Sequence, residues 1–240
     1  ARDHYAATLA RFERGPPNAR AMAIEALFEI AEVERDLGDL DAALAHAELA
    51  HTRFSGHLGE DHIGTVPGLV DLAVLRSARR EPELAAPLIA RARGLMAGSD
   101  NRDLLLPYVH LGDLAREAGD LAQAEADYDR AAAIAGQTDE AERALGLPLL
   151  RRGELRLARG DLDAALADLT AAREHLERPG PPLDRGAARF ALARALAARG
   201  EHARARELAA LALADDGGLR DGARAEVRRW LGGVSPASPR

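Results

Sequence analysis

The chain has 240 residues, 47% of them hydrophobic, with a formal net charge of −7 and no cysteine. That length buries a sizeable core. The acidic balance gives no electrostatic reason to expect nucleic acid, since phosphate binding draws on a clustered excess of cations. Disulfides, thiolate nucleophiles, cysteine-based zinc sites and iron–sulfur clusters are excluded. All 32 basic residues are arginine, so the lysine-dependent chemistries fall away as well: Walker A loops, protein kinases, Schiff bases and Ser-x-x-Lys hydrolases. No stretch approaches 18 apolar residues, and the sequence reads as a soluble, cytoplasmic protein. It opens within an amphipathic pattern, as a fragment would.

Residues 3–14 carry Tyr5, Leu9 and Phe12 at helical spacing and stop at Gly15-Pro16-Pro17, which suits the second helix of a preceding, partial repeat. The next segment sets a pattern that returns. Leu27, Ile30, Ala31 and Leu37 form an apolar stripe, Gly38-Asp39 breaks it, and Leu40, Ala43, Leu44, Ala47 and Ala50 form another. A glycine free to turn left-handed stops the first helix, and the aspartate caps the second.

The same turn recurs at Gly119-Asp120, Gly160-Asp161 and Gly200-Glu201, each followed by alanine five and twelve places after the glycine. The later spacings are 41 and 40 residues and the first is 81, which demands a hidden repeat. It is found at Arg80-Glu81, followed by Ala85 and Ala92. Five helix pairs are therefore expected, at about 22–57, 58–98, 101–137, 139–179 and 183–216. Pro179–Asp184 is a loop inside this phase. Leu219, Ala223, Val227 and Trp230 or Leu231 then face inward from a capping helix over 217–233, because a solenoid must close its last apolar face. The tail 234–240 reads as disordered.

Between the first two pairs lies His57-Leu-Gly-Glu-Asp-His-Ile-Gly-Thr65. Its histidines are five residues apart, not the i, i+4 of a helical metal pair, and no third ligand stands nearby. The stretch is expected to be a connector with Thr65 as N-cap of the next helix and Pro67 in its first turn.

The Gly-acidic turn with its spaced alanines, and Tyr128 at the aromatic position of the third repeat, resemble the tetratricopeptide repeat. Leu58, Gly59, Asp61, His62, Thr65, Leu69, Leu72 and Ala73 resemble the 40-to-42-residue variant of kinesin light chains and bacterial signalling proteins. The resemblance implies an all-α, right-handed superhelical solenoid whose concave groove is lined by the first helix of each pair. It places there Phe28, Glu32 and Arg35; Val70, Val74 and Ser77; Val109, Asp113 and Arg116; Leu150, Glu154 and Leu157; and Phe190, Arg194 and Ala197. Peptide-binding members that clamp a carboxylate use Asn and a cation at two of these positions; here they are Glu, Val, Asp, Glu, Arg and uniformly apolar, so that clamp is not expected.

No Gly-x-Ser-x-Gly, GxGxxG, HExxH or EF-hand pattern is present. The expectation is a non-catalytic protein-interaction scaffold without cofactor or metal, binding a peptide or protein segment with apolar anchors and basic residues, and no nucleic acid or membrane. Ala225–Leu231 resembles the tails of bacterial Ser/Thr kinases with C-terminal tetratricopeptide arrays, which implies the regulatory part of a larger signalling protein. A small-molecule-sensing solenoid controlling an effector is the alternative.

Overall fold

The computed structural model describes residues 17–137, 144–178, 184–215, 219 and 221–233. The expected helix at 3–14 and the tail 234–240 lie outside them. Eleven α-helices and no strand are found among the described residues. Five pairs follow in order: α1 (Pro17–Asp36) with α2 (Leu40–Leu58), α3 (Val66–Ala78) with α4 (Pro82–Met96), α5 (Leu105–Glu117) with α6 (Leu121–Ala135), α7 (Gly146–Arg159) with α8 (Leu162–Leu176), and α9 (Arg185–Ala198) with α10 (His202–Ala214). The final helix, α11, spans Asp221–Gly233. By its contacts the chain divides into two compact bodies, Ala1–Leu114 and Ala115–Arg240.

The turn inside each pair is dictated by backbone geometry. Gly38, Gly119, Gly160 and Gly200 take φ of +82°, +84°, +85° and +89°, and Arg80 takes +62° in the second repeat. At each turn the next amide reaches back five positions, as in Asp39 N–H to Glu34 O (2.9 Å) and Glu81 N–H to Arg76 O (2.9 Å). This bond pattern needs a left-handed residue at its corner. Arg80 occupies the corner at a cost that the glycines avoid.

Capping by the acidic residue holds in two repeats. Asp39 accepts from the Ala42 amide (3.3 Å) and Asp120 from the Gln123 amide (3.0 Å). Asp161, Glu81 and Glu201 make no such bond. Glu81 instead draws in Arg76 and Arg79, and Glu201 draws in Arg199 and Arg204.

The ten spaced alanines are all core. Ala43, Ala50, Ala85, Ala92, Ala124, Ala131, Ala165, Ala172, Ala205 and Ala212 are at most 2% exposed. Their missing bulk lets paired helices close on one another. Gly153 shows the tolerance: a Cβ there would stand 2.7 Å from Leu169 Cγ and Cδ2. In the last pair Phe190, Leu192, Leu196, Leu219 and Val227 share one apolar cluster, against which Ala223, Trp230 and Leu231 pack. Trp230 meets Phe190 edge-on at 5.7 Å, and Arg224 donates to the Leu213 and Asp215 carbonyls at the end of α10. The expected cap is in place.

Candidate functional site

His57–Thr65 forms the end of α2 and a 3-10 turn over Ile63–Thr65. His62 Nδ1 accepts the Gly64 amide at 3.0 Å, so this histidine caps the turn. Thr65 was expected to cap α3 with its side chain. Instead its hydroxyl points back, donating to the carbonyls of His62 (2.7 Å) and Glu60 (3.3 Å). The buried hydroxyl thereby satisfies the loop and not the helix end. Arg91 of α4 ties down the Glu60 carbonyl and carboxylate (3.0 and 3.1 Å) and Asp61 (3.3 Å). The stretch is structural. Among the described residues no group of three or more His, Asp or Glu is placed to hold a metal ion.

In the N-terminal body the expected binding residues separate by burial. Val70 and Val109 are each 1% exposed, so they support the surface and do not form it. Phe28 packs beside Gly68, whose absent Cβ would stand 3.0 Å from the Phe28 Cζ. Glu32, Arg35, Val74 and Asp113 remain accessible. Arg35 lies 3.4 Å from Glu32 and 3.7 Å from Asp36.

Beside them stand two residues absent from the expected set, Asp71 and His110, both nine places before the turn residue of their repeat. Asp71 Oδ1 lies 4.0 Å from His110 Nδ1, outside hydrogen-bond reach. Desolvation pushes the Asp71 carboxyl up to about 6, the nearby Arg35 guanidinium offsets part of that rise, and Glu32 adds to it. About a third of the side chain still meets water, 35%. Among the described residues no hydrogen bond to this carboxylate is found, and the Arg35 guanidinium and the His110 ring are the groups that act on it or stand beside it.

The first helices of the C-terminal body are arranged differently. Leu150 is fully buried, Phe190 is 7% exposed against Trp230, and Leu157 packs on the core. Glu154 is engaged by Arg151 of the same helix at 3.1 Å. Arg116 and Arg194 are exposed. The acidic face is therefore a property of the N-terminal body.

Around α7 the C-terminal body carries a chain of ion pairs. Asp168 of α8, 6% exposed, accepts from Arg152 Nε and Nη2 (2.8 and 2.6 Å) and from Arg156 Nη1 (2.8 Å). Arg152 also reaches Asp129 of α6 (2.7 Å), while Arg156 and Arg159 both reach Glu125 (2.9 and 2.7 Å). These bonds, Asp168 first, raise the Arg152 pKa, and the Arg156 bond leads in lowering that of Glu125. One repeat on, the equivalent positions are Leu166, Thr170, Leu192, Leu196 and Leu208. There a hollow of about 430 Å³ opens among α8, α9 and α10, with Arg173 in its lining.

No family model and no curated protein matches this sequence. Solved structures do. The chain is similar to BtubC (BKLC) from P. vanneervenii, with a TM-score of 0.68 and 16% identity over 100% of this chain and 94% of that one. A putative kinesin light chain of Podosopora anserina with nearly identical TPR-like repeats gives 0.61 and 18% over 81% and 95%. Yeast Tom70 gives 0.65 and 13% over 96% of this chain and 46% of its own. At such identities the likeness defines the fold, an all-α solenoid of tetratricopeptide repeats similar to those of kinesin light chains.

Proposed function

We propose that this chain is a protein-interaction scaffold without catalytic machinery, the regulatory part of a larger bacterial signalling protein, and that it takes a partner segment on the first-helix face of its N-terminal body. Asp71 carries the proposal. A half-buried carboxylate without a hydrogen bond from a described residue costs the fold stability, and a lysine or arginine of a bound segment would add to the partial compensation that Arg35 gives it. Glu32 and Asp113 add to the attraction, and Phe28 and Val74 offer apolar contact. The tetratricopeptide-like solenoid supplies the helical face on which such a segment would lie, and the fold by itself assigns no partner. Glu154, already held by Arg151, is a weaker contributor than Asp71.

Affinity capture from a bacterial lysate with quantitative mass spectrometry tests this. Wild type is compared with a Glu32→Arg, Asp71→Arg, Asp113→Arg variant shown to be folded by circular dichroism. The expected result is a protein retained by wild type and lost from the variant. Equal retention of every protein by both would refute it.

A further inference from the structure

We propose that the hollow among α8, α9 and α10 is a binding site for a small aliphatic carboxylate. The sequence of the repeat makes the space. In the preceding repeat, Arg156 bonds Glu125 and Asp168, and Arg152 bonds Asp168 and Asp129. In the last repeat the residues at the same places are Leu196 for Arg156, Leu192 for Arg152, Leu166 for Glu125, Leu208 for Asp168 and Thr170 for Asp129. Long charged side chains that bridged three helices are replaced by shorter apolar ones, and a hollow of about 430 Å³ is left where the ion pairs had been.

Chemistry and size choose the occupant. Half of the lining is leucine and alanine, from Leu166 and Ala167 to Leu208, which takes an aliphatic body, and the other half is polar or charged. Arg199 and Arg204 line the rim, but Glu201 already holds both. Arg173 is different: it lines the hollow, half-buried, and no acceptor among the described residues meets its guanidinium. Asp163 and Glu174, the acids of the lining, are exposed and keep their hydration. A half-buried guanidinium without an acceptor, beside apolar walls, is the group of this lining that an anion would match. The α8 wall, Asp163 to Glu174, is roughly 16 Å long at 1.5 Å per residue. Together with the volume, which lies in the small-molecule range, that is a footprint well short of the ~800 Å² per partner of a stable protein interface.

The test is calorimetric titration of the full chain with decanoate, decanol and decylamine, each below its micelle concentration, with amide NMR to locate the site. Decanoate is expected to bind once per chain and about tenfold tighter than decanol, the gain of one charge-assisted contact. Arg173→Gln should abolish that tenfold difference and leave decanol unchanged. Leu166→Glu with Leu196→Arg, which writes the Glu125–Arg156 pair into the last repeat, should abolish binding of both; if this double variant does not fold, the Arg173→Gln result decides alone. Equal binding of decanoate and decanol to wild type, preference for decylamine, or indifference to Arg173→Gln overturns the proposal. So does a dimer of wild type that the double variant dissolves, because the occupant would then be a second copy.

Discussion

The fourth and fifth repeats share a backbone plan and fill it with opposite chemistry. Around α7, three arginines and three carboxylates interlock; around α9, leucines occupy the matching places and leave space. The packing of first helix on second differs in the same way. Gly153 faces Leu169, whereas the matching residues of the last repeat are Ala193 and Ala209, both 0% exposed. The fourth repeat puts all of the side-chain bulk on the second helix, and the fifth shares a smaller bulk equally between the two. The lesson is that a repeat fixes the backbone and the small-residue positions. The larger side chains between repeats are free to become a brace or a cavity.

The sharpest way to break the contrast is to remove its hub. Asp168→Ala leaves Arg152 and Arg156 without their shared, buried acceptor and should cost about 3 kcal/mol, read as the loss in urea-unfolding free energy. Leu208→Ala in the last repeat, half-buried at the edge of the hollow, should cost visibly less.

Next in size is Gly153→Ala. Its Cβ would meet Leu169 at 2.7 Å, and the expected penalty is about 2 kcal/mol by thermal unfolding. The double variant Gly153→Ala, Leu169→Ala, which copies the fifth repeat, should remove the clash; its midpoint against that of the single Leu169→Ala variant tells whether the two sites are coupled.

Smaller effects extend the contrast to the N-terminal body. Asp71 has a carboxyl raised from 3.8 to about 6, so the folded state holds its proton more tightly than the unfolded one. Stability therefore falls as pH rises from about 4 to 6. Asp71→Asn should stabilise by about 1 kcal/mol at pH 7.5, discounted from the full shift because a third of the group meets water, and should change little at pH 4. The smallest effect is at the second turn. Arg80→Gly relieves the left-handed strain that glycine avoids in the other four repeats and should gain about 0.5–1 kcal/mol after the entropy glycine loses on folding. Denaturant titration of both variants is sufficient.

Much of this was legible in the sequence. The glycine turns, the hidden repeat at Arg80-Glu81 and the ten alanines were readable because backbone sterics and close helix approach permit few residue types. The cap helix was readable because its inward leucine, valine and tryptophan keep helical spacing. The proposed binding face was less legible. Val70, Val109, Leu150 and Phe190 sit at positions that point inward in the repeat pattern, but neighbouring helices, and Trp230 for Phe190, cover them. Asp71 and His110 stand one residue further along and give no signal of their proximity, because an acid or a histidine in a single helix looks like ordinary surface. The position nine before the turn reads Glu29, Asp71, His110, Arg151 and Ala191, a column whose polarity offered a signal. The paired charges were hidden for another reason. Glu34 with His46 (2.7 Å) and Arg156 with Asp168 (2.8 Å) occupy the same two slots with opposite sign, so no residue type repeats.

The direct measurement of the binding face is the pH dependence of affinity for the captured partner, wild type against Asp71→Asn, by calorimetry at pH 7.5 and 5. If Asp71 receives a cation, wild type should weaken about tenfold at pH 5, where a carboxyl of pKa near 6 is roughly nine-tenths protonated. Asp71→Asn should then bind weakly at both pH values. An Asp71→Asn variant that binds as tightly as wild type at pH 7.5 would contradict the assignment of this face.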